Sequence, residues 1–363
     1  MSRLGLDNVE WKEFFIGGEE GLFNIRSTNS GIDKNKLLEN TGDIPYVTRS
    51  NLNNGIDMFV GEKQDVGFII DKGNVITIGL DTQTVFYQPK NFFTGQNIQI
   101  VENKFLNKEI ALFLVPLLKI QMKKFSWGST GATLTRLNRT KILLPVDSSG
   151  NPNWRFMEDY IRQEQKVQAQ NIVNYYKKKI IKYDLKILGL EEIEWKKFYV
   201  GDLFEFKQKP SKGLNHLKKL DRGGINYLGA TNKNNGVISY VESDEELKYD
   251  GNCIAFIRNG EGSMGYSVYK KENFIATQDI SVGYNANLDE YIGKFITTIA
   301  DKVRGKYNFG YKRNLKRLKK EILRLPADEN GNPNWEYMRM FMKKVESEKI
   351  SKVLEYLINT YIN

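Results

Sequence analysis

The string Gly-Asn-Pro-Asn-Trp occurs twice in this chain, at residues 150–154 and again at 331–335, 181 positions later. Both copies follow a short apolar run that ends at proline: Ile142-Leu143-Leu144-Pro145 in the first, Ile322-Leu323-Arg324-Leu325-Pro326 in the second. A polar turn comes between, Val146-Asp147-Ser148-Ser149 or Ala327-Asp328-Glu329-Asn330. A long segment of helical periodicity comes after. Proline disfavours the α-conformation in the residue before it and offers no backbone donor. Asn153 and Asn334 therefore fall where an N-cap belongs, with Trp154 and Trp335 first inside the helix. Each copy reads as strand, turn, capped helix.

The match extends to the whole chain. Glu10-Trp11-Lys12-Glu13-Phe14-Phe15-Ile16-Gly17 answers Glu194-Trp195-Lys196-Lys197-Phe198-Tyr199-Val200-Gly201, and Leu22-Phe23-Asn24-Ile25 answers Leu203-Phe204-Glu205-Phe206. Further in, Ile44-Pro45-Tyr46-Val47 pairs with Ile225-Asn226-Tyr227-Leu228, Asn53-Asn54-Gly55-Ile56 with Asn234-Asn235-Gly236-Val237, and Gly73-Asn74-Val75-Ile76 with Gly251-Asn252-Cys253-Ile254. A repeat of roughly 180 residues is a duplicated domain, since a solenoid repeats every ~20–50. The length of 363 residues independently suggests about two domains.

Taken in order, residues 1–9 are a lead-in and 10–150 a globular unit of short β-branched and aromatic runs cut by Gly and Asn. Strands are expected at 43–48, 66–70, 74–78, 84–87 and 98–101. Residues 108–123 carry Ile110, Leu114, Leu117 and Leu118 at helical spacing and form a helix despite Pro116. The fold class is α+β with a largely antiparallel or mixed sheet. Residues 153–188 then run for 36 positions without Gly or Pro. Met157, Ile161, Glu164, Gln168, Ile172, Tyr176, Ile180 and Leu188 mark an interrupted apolar stripe. One continuous helix would be about 54 Å long and would need a partner helix; two ordinary helices with a break near Gln170 are the alternative. Gly189 is placed as the C-cap. Residues 194–331 repeat the first unit, and 334–359 repeat the helix. Packed antiparallel, the two helices would hold two similar units apart about a pseudo-twofold axis. The divisions are 1–150, first recognition unit; 151–190, first spacer helix; 191–331, second unit; 332–363, second spacer helix.

Composition narrows the partners. Lysine and arginine number 54 against 44 acidic residues, a net charge of +10. Such a balance points to an anionic partner, nucleic acid first and an acidic membrane surface second. Cys253 and His216 are each the sole residue of their type. No internal disulfide, His-based triad or Cys/His zinc site can be built, and a reducing cytoplasm fits. His216 is expected on a loop surface. The apolar run from Ile110 to Ile120 is too short to cross a bilayer, and the N-terminus has no signal core.

Motifs for catalysis do not emerge. Gly260-Glu261-Gly262-Ser263-Met264-Gly265 has a GxGxxG pattern, but a strand-like Tyr266-Ser267-Val268-Tyr269 follows it, so a hairpin turn is the better reading. Asn-Pro-Pro-aromatic, the adenine-methyltransferase motif, does not occur. Asp81 and Asp279 lie at strand edges without the Glu-x-Lys partner a nuclease would need.

Recognition chemistry is abundant instead. The loops expected at 48–55 and 230–236 present Arg49, Asn51, Asn53 and Asn54, and Asn232, Lys233 and Asn234. Asn pairs bidentately with adenine edges and Arg with guanine edges; Asn-Asn-Gly also supplies the positive φ of a hairpin turn. Residues 123–133 interleave Lys124, Trp127, Ser129 and Thr130, with Arg136 and Arg139 beyond. The matching place in the second unit holds Arg304, Lys306, Tyr307, Asn308, Tyr311, Lys312 and Arg313, then Lys316, Arg317, Lys319 and Lys320. Cations among aromatic residues and glycines suit phosphate and groove contact. Arg258, after the strand-like 254–257, joins the candidates.

These features resemble the DNA-specificity subunit of type I restriction–modification systems and the similar recognition subunit of type IIB enzymes. The resemblance rests on the Trp-x-x-Phe-x-x-Gly opening of each unit (Trp11, Phe14, Gly17; Trp195, Phe198, Gly201), the strands of Tyr46 and Tyr227 before Asn-Gly, Ser129–Gly131, and the proline-then-helix endings. The second unit departs from it, with Lys306-Tyr307-Asn308 where the first has Gly128-Ser129-Thr130. The resemblance implies two target recognition domains, each reading half of a split double-stranded DNA site. It implies helices that set the gap and dock methyltransferase subunits, two of them, with restriction or translocase subunits joining. It also implies no catalytic residue, metal or cofactor in this chain: S-adenosylmethionine, Mg²⁺ and ATP would serve partner subunits. A self-sufficient nuclease or methyltransferase, and a two-domain adaptor that does not bind DNA, are the rival readings.

Overall fold

The computed structural model describes residues 3–38, 41–125, 131–179, 187–308 and 310–363. The chain forms two compact units, Met1–Tyr175 together with Tyr356–Asn363, and Tyr176–Glu355. The first contains β1 (Trp11–Phe15), β2 (Asn24–Ser27), β3 (Ile44–Val47), β4 (Ile56–Val60), β5 (Val75–Gly79), β6 (Val85–Gln88), β7 (Phe93–Thr94), β8 (Ile98–Glu102), α1 (Lys108–Met122), α2 (Leu134–Asn138), β9 (Lys141–Pro145) and α3 (Trp154–Lys179). The second contains β10 (Trp195–Tyr199), α4 (Val200–Leu203), β11 (Glu205–Lys207), β12 (Ile225–Leu228), β13 (Val237–Val241), β14 (Lys248–Tyr249), β15 (Cys253–Ile257), β16 (Ser267–Lys270), β17 (Phe274–Ala276), β18 (Ile280–Tyr284), α5 (Glu290–Ala300), α6 (Leu315–Lys319), β19 (Ile322–Pro326) and α7 (Trp335–Leu357).

The sheets repeat strand for strand. Orders β1-β9, β2-β8-β5-β6 and β4-β3-β7 in the first unit recur as β10-β19, β11-β18-β15-β16 and β13-β12-β17, with β14 added at the edge. Among the described residues the pairings are antiparallel except β3 with β7 and β12 with β17, so each unit is mixed. Even an irregularity is shared: the register slips between Tyr46 and Val47 against β4, and between Tyr227 and Leu228 against β13.

The Trp-x-x-Phe opening is the first strand of each unit. Trp11 on β1 stacks on Phe113 of α1 at 6.2 Å, and Phe113 meets Tyr160 of α3 edge-on at 5.9 Å. Trp195, Phe295 and Phe341 repeat the arrangement at 6.3 and 6.0 Å. Both indole N–H groups are satisfied, Trp11 by the carbonyl of Leu6 and Trp195 by that of Leu190. The lead-in is strapped down as well, through Gln163 to the backbone of Leu4 and Arg3 to Glu164 at 2.9 Å. α1 lays Ile110, Leu114 and Leu118 on Ile76, Ile78 and Val85 of the sheet. Pro116 sits on its exposed face, where the lost backbone bond opens toward water.

The repeated pentapeptide is a turn locked twice. Asp147 Oδ1 accepts from the amides of Ser149 and Asn151, Gly150 takes φ +78°, and Asn153 Oδ1 accepts from Phe156 N at 3.0 Å. Asp328, Gly331 (φ +79°) and Asn334, which accepts from Tyr337 N at 2.9 Å, do the same. Both asparagines are the expected N-caps.

Several expectations need correction. Residues 66–70 are not a strand: Gly67 has φ +107°, the Phe68 amide closes a turn on Asp65, and Val66 is wholly exposed. α3 runs unbroken through Gln170, as the continuous-helix reading expected, but its buried line runs through Met157, Ala169 and Val173, while Ile172 is 40% exposed. Small Ala169 lies twelve residues after Met157 and Val173 four further on, so the buried line keeps the helical repeat through a small side chain. Gly189 does not cap this helix. Ile187 and Leu188 are already outside it, and the Gly189 amide binds Glu192. Ile180 lies outside the described residues. α7 ends at Leu357, and residues 358–362 continue as a wider π-helical turn.

Replacing the caps tests this account. Asn153→Ala and Asn334→Ala should each lower stability by about 0.5–2 kcal/mol, read as a shift in the denaturant midpoint with unchanged slope.

Candidate nucleic-acid interface

In the first unit four chain segments meet beyond the ends of β3 and β5. Leu80 donates to the carbonyl of Asn97 at 3.0 Å, Ala132 donates to the carbonyl of Leu80 at 3.3 Å, and the loop after β3 closes through Thr48 N to Gly55 O at 2.7 Å. Arg49 reaches across to the carboxylate of Asp81, which also accepts from Asn97 Nδ2 at 3.2 Å. The second unit builds a similar junction: Arg258 N donates to Asp279 O at 2.8 Å as Leu80 does to Asn97, Gly229 N closes on Gly236 O at 3.0 Å, and Thr277 N and Ser263 Oγ add bonds to Leu228 O and Ala230 O at 3.0 and 2.7 Å.

The Asn-Asn-Gly strings turn the chain between β3 and β4 and between β12 and β13. Asn53, Asn54 and Gly55 take φ of +49°, +57° and +79°; Asn234, Asn235 and Gly236 take +49°, +52° and +79°. Asn tolerates this left-handed region better than other side chains. The amide of Asn54 is spent on Tyr87 O at 2.9 Å, and that of Asn235 on Tyr269 O at 3.4 Å. Asn51, Asn53, Asn232, Lys233 and Asn234 are exposed.

Around the second unit's hairpin of β15 and β16, with residues 260–265 as its turn, lies a cleft of about 870 Å³. Glu261, Met264, Arg304, Tyr307, Asn308 and Lys312 are among its walls. The rings form a short ladder. Tyr307 stacks on Tyr311 at 6.1 Å, Arg317 lies 3.9 Å over Tyr311, and Arg304 lies 4.6 Å over Tyr266. Lys306, Asn308 and Lys312 are exposed.

Arg313 is a correction to the candidate set, since its side chain is fully buried. Its Nε and Nη2 donate to Glu321 at 3.0 and 2.6 Å, and Nη1 donates to Gly265 O, Tyr266 O and Ser267 Oγ. Tyr307 completes the group by donating to Glu321 Oε2 at 2.7 Å; burial and the Glu321 carboxylate push its hydroxyl pKa up. Arg313 thus anchors the basic segment from beneath. In the first unit Ala132 and Thr140 hold the equivalent places, ahead of α2 and β9.

Of the remaining candidates, Lys124 and Arg136 are exposed, and Arg136 Nη1 donates to Gly131 O at 2.9 Å. Arg258 is half-buried and its guanidinium donates to Gln278 O. Trp127, Ser129 and Thr130 lie outside the described residues. His216 is exposed in a tight turn, as expected. Sequence reasoning passed over the pairing of Asp81 with Asn97, and of Asn259 with Asp279 at 3.2 Å. Each pair is joined by strand order alone. Among the described residues no helix is long and apolar enough to cross a membrane.

A doubled scaffold with dissimilar loop ends is the layout of a two-domain specificity protein, and the comparisons agree. The profile of the type I restriction–modification DNA specificity domain matches residues 8–180 and 192–356, and the chain belongs to that family. It is similar to the specificity subunit of a type II restriction enzyme of Heyndrickxia coagulans, 29% identical over 330 residues, which is 89% of this chain and 92% of the relative. A putative type I specificity subunit of Mycoplasma pneumoniae is 33% identical over 94 residues, 26% of this chain and 30% of the relative. The solved S subunit of a type I system from M. genitalium matches with a TM-score of 0.55 at 17% identity, covering 98% of this chain and 95% of its own, a likeness of fold.

The buried ion pair yields a prediction. Glu321→Ala should cost about 3–5 kcal/mol by leaving Arg313 charged and unpaired, while Arg313→Met with Glu321→Leu should recover most of that loss. Denaturant unfolding of the two variants checks both.

Proposed function

We propose that the two units of this DNA-specificity subunit read the two halves of a split double-stranded site. One observation carries the reading: strand order, bulge and turns repeat between the units, while the side chains at the loop ends do not. Arg49 of the first unit has Ala230 at the equivalent position of the second, and the ring ladder of Tyr307, Tyr311 and Arg317 belongs to the second unit alone among the described residues. Identical scaffolds with different contact surfaces suit two different half-sites. The net charge of +10 supplies the attraction for phosphate. Lys306, Lys312 and Lys316, with Lys124 and Arg136 in the first unit, grip the backbone; Arg49, Asn51, Asn53, Asn232, Lys233, Asn234 and Asn308 face base edges. Arg258 and Tyr307 support the surface from partly buried positions.

In this reading the chain has no catalytic role. α3 and α7 set the gap between half-sites and dock two methyltransferase subunits, with restriction or translocase subunits joining the complex in the cytoplasm. S-adenosylmethionine, Mg²⁺ and ATP serve those partners. A purified chain should transfer no methyl group, and should direct adenine methylation to one bipartite sequence once a methyltransferase partner is added; sequencing for methylated adenine reads this out. Turnover by the chain alone would overturn it.

Salt dependence supplies the second test. Each phosphate contact adds about −0.9 to the slope of log K against log salt. Lys306→Ala and Lys316→Ala should each flatten the slope by about that amount and weaken binding to all sequences alike.

A further inference from the structure

The carboxylate–amide pair at the loop ends is kept between the units with its two members exchanged. In the first unit the acid, Asp81, stands two residues past β5 and the amide, Asn97, one residue before β8. In the second the amide, Asn259, stands two residues past β15 and the acid, Asp279, one before β18. The contact is 3.2 Å in both. What differs is the third member. Arg49, two residues past β3, donates to Asp81; its place past β12 is Ala230.

An ion pair this exposed, 41% for Arg49 and 29% for Asp81, adds little to stability. Its effect is geometric. The guanidinium is a rigid planar fork with five N–H donors, and Asp81 engages it through Nη1. Asp81 is in turn held by Asn97, so the fork is anchored at Nη1 while 41% of the Arg49 side chain stays open to solvent. A guanidinium of fixed direction matches the O6 and N7 acceptors of guanine in the major groove. Resting on the reading of both units as DNA readers, we propose that Arg49, positioned by Asp81 and Asn97, reads a guanine in the first unit's half-site, and that Ala230 removes this contact from the second.

The test uses the complex with its methyltransferase partner and DNA carrying the genome-mapped site. Arg49→Ala and Arg49→Lys should each lose roughly 5- to 150-fold in affinity for that site. The loss should trace to one G·C pair in one half-site: changing that pair costs the wild type the same factor and costs the variants nothing further. Replacing its guanine by 7-deazaguanine, which lacks the N7 acceptor, should weaken the wild type and leave Arg49→Ala unmoved. Asp81→Asn removes a negative charge, so a purely electrostatic role predicts tighter binding to every DNA. Positioning predicts instead a loss of preference at that one pair. Unchanged discrimination at the other half-site reports that each variant is folded. An equal loss on all sequences with a flatter salt slope would make Arg49 a phosphate contact and overturn the proposal, as would no loss at all. Site-independent binding by the wild-type complex would instead remove the underlying reading.

Discussion

The aromatic join between strand, short helix and long helix is the contact on which the rest of each unit depends. Trp11, Phe113 and Tyr160 come from β1, α1 and α3, and Trp195, Phe295 and Phe341 from β10, α5 and α7. Such ring pairs contribute about 0.5–1.5 kcal/mol each beyond their buried area. More important is their placement. β1 and β9 are the first and last strands of the unit and pair residue for residue, Trp11 against Pro145. The long helix leaves directly from β9 through the double-locked Asp147 turn. Its direction is therefore set by the ends of the domain, and the loops at the far side of the sheets can change without disturbing it.

That separation explains what varies between the repeats. The Asn-Asn-Gly turn, the register slip beside it and the strand order are the same in both. Beyond them, the first unit spans residues 132 and 140 with Ala and Thr, whereas the second buries Arg313 against Glu321. A buried pair adds little net stability over an apolar filling. Here it ties Tyr307, and through it the stack on Tyr311, to the carbonyls of Gly265 and Tyr266 in the turn that leads into β16.

Local signals made the scaffold legible from the residues. Proline, Gly-Asn turns and N-cap asparagines act within a few positions, so the repeat, the caps and the helix expected at 108–123 could be read directly. Residues 66–70 are rich in β-branched and aromatic side chains, as a strand would be, yet they meet no neighbouring strand, and Gly67 turns the backbone away. Ala169 and Val173 escaped notice because burial of α3 follows spacing rather than side-chain size. Arg313 looked like its exposed neighbours. The acid that claims it, Glu321, is the lone carboxylate between Arg304 and Ala327, a signal that could have been weighed. Asp81 and Asn97 are 16 residues apart and meet only because β5 and β8 are adjacent.

The exchange of acid and amide between the units shows what such a scaffold permits. Asp and Asn are nearly the same size, so either end of the contact can carry the charge while the backbone around it stays fixed. Moving the carboxylate from beyond β5 to before β18 keeps the hydrogen bond and relocates the negative charge by one strand. Where the acid lies beside the loop after β3, an arginine there has a counter-ion, and Arg49 is held. Where it lies on the other strand, the same loop position carries Ala230, and Asp279 instead borders a cleft of about 250 Å³ with Lys312 and Asn314. A one-atom-group substitution at each of two positions thus redirects which part of the surface presents a donor and which an acceptor, without a change in any strand.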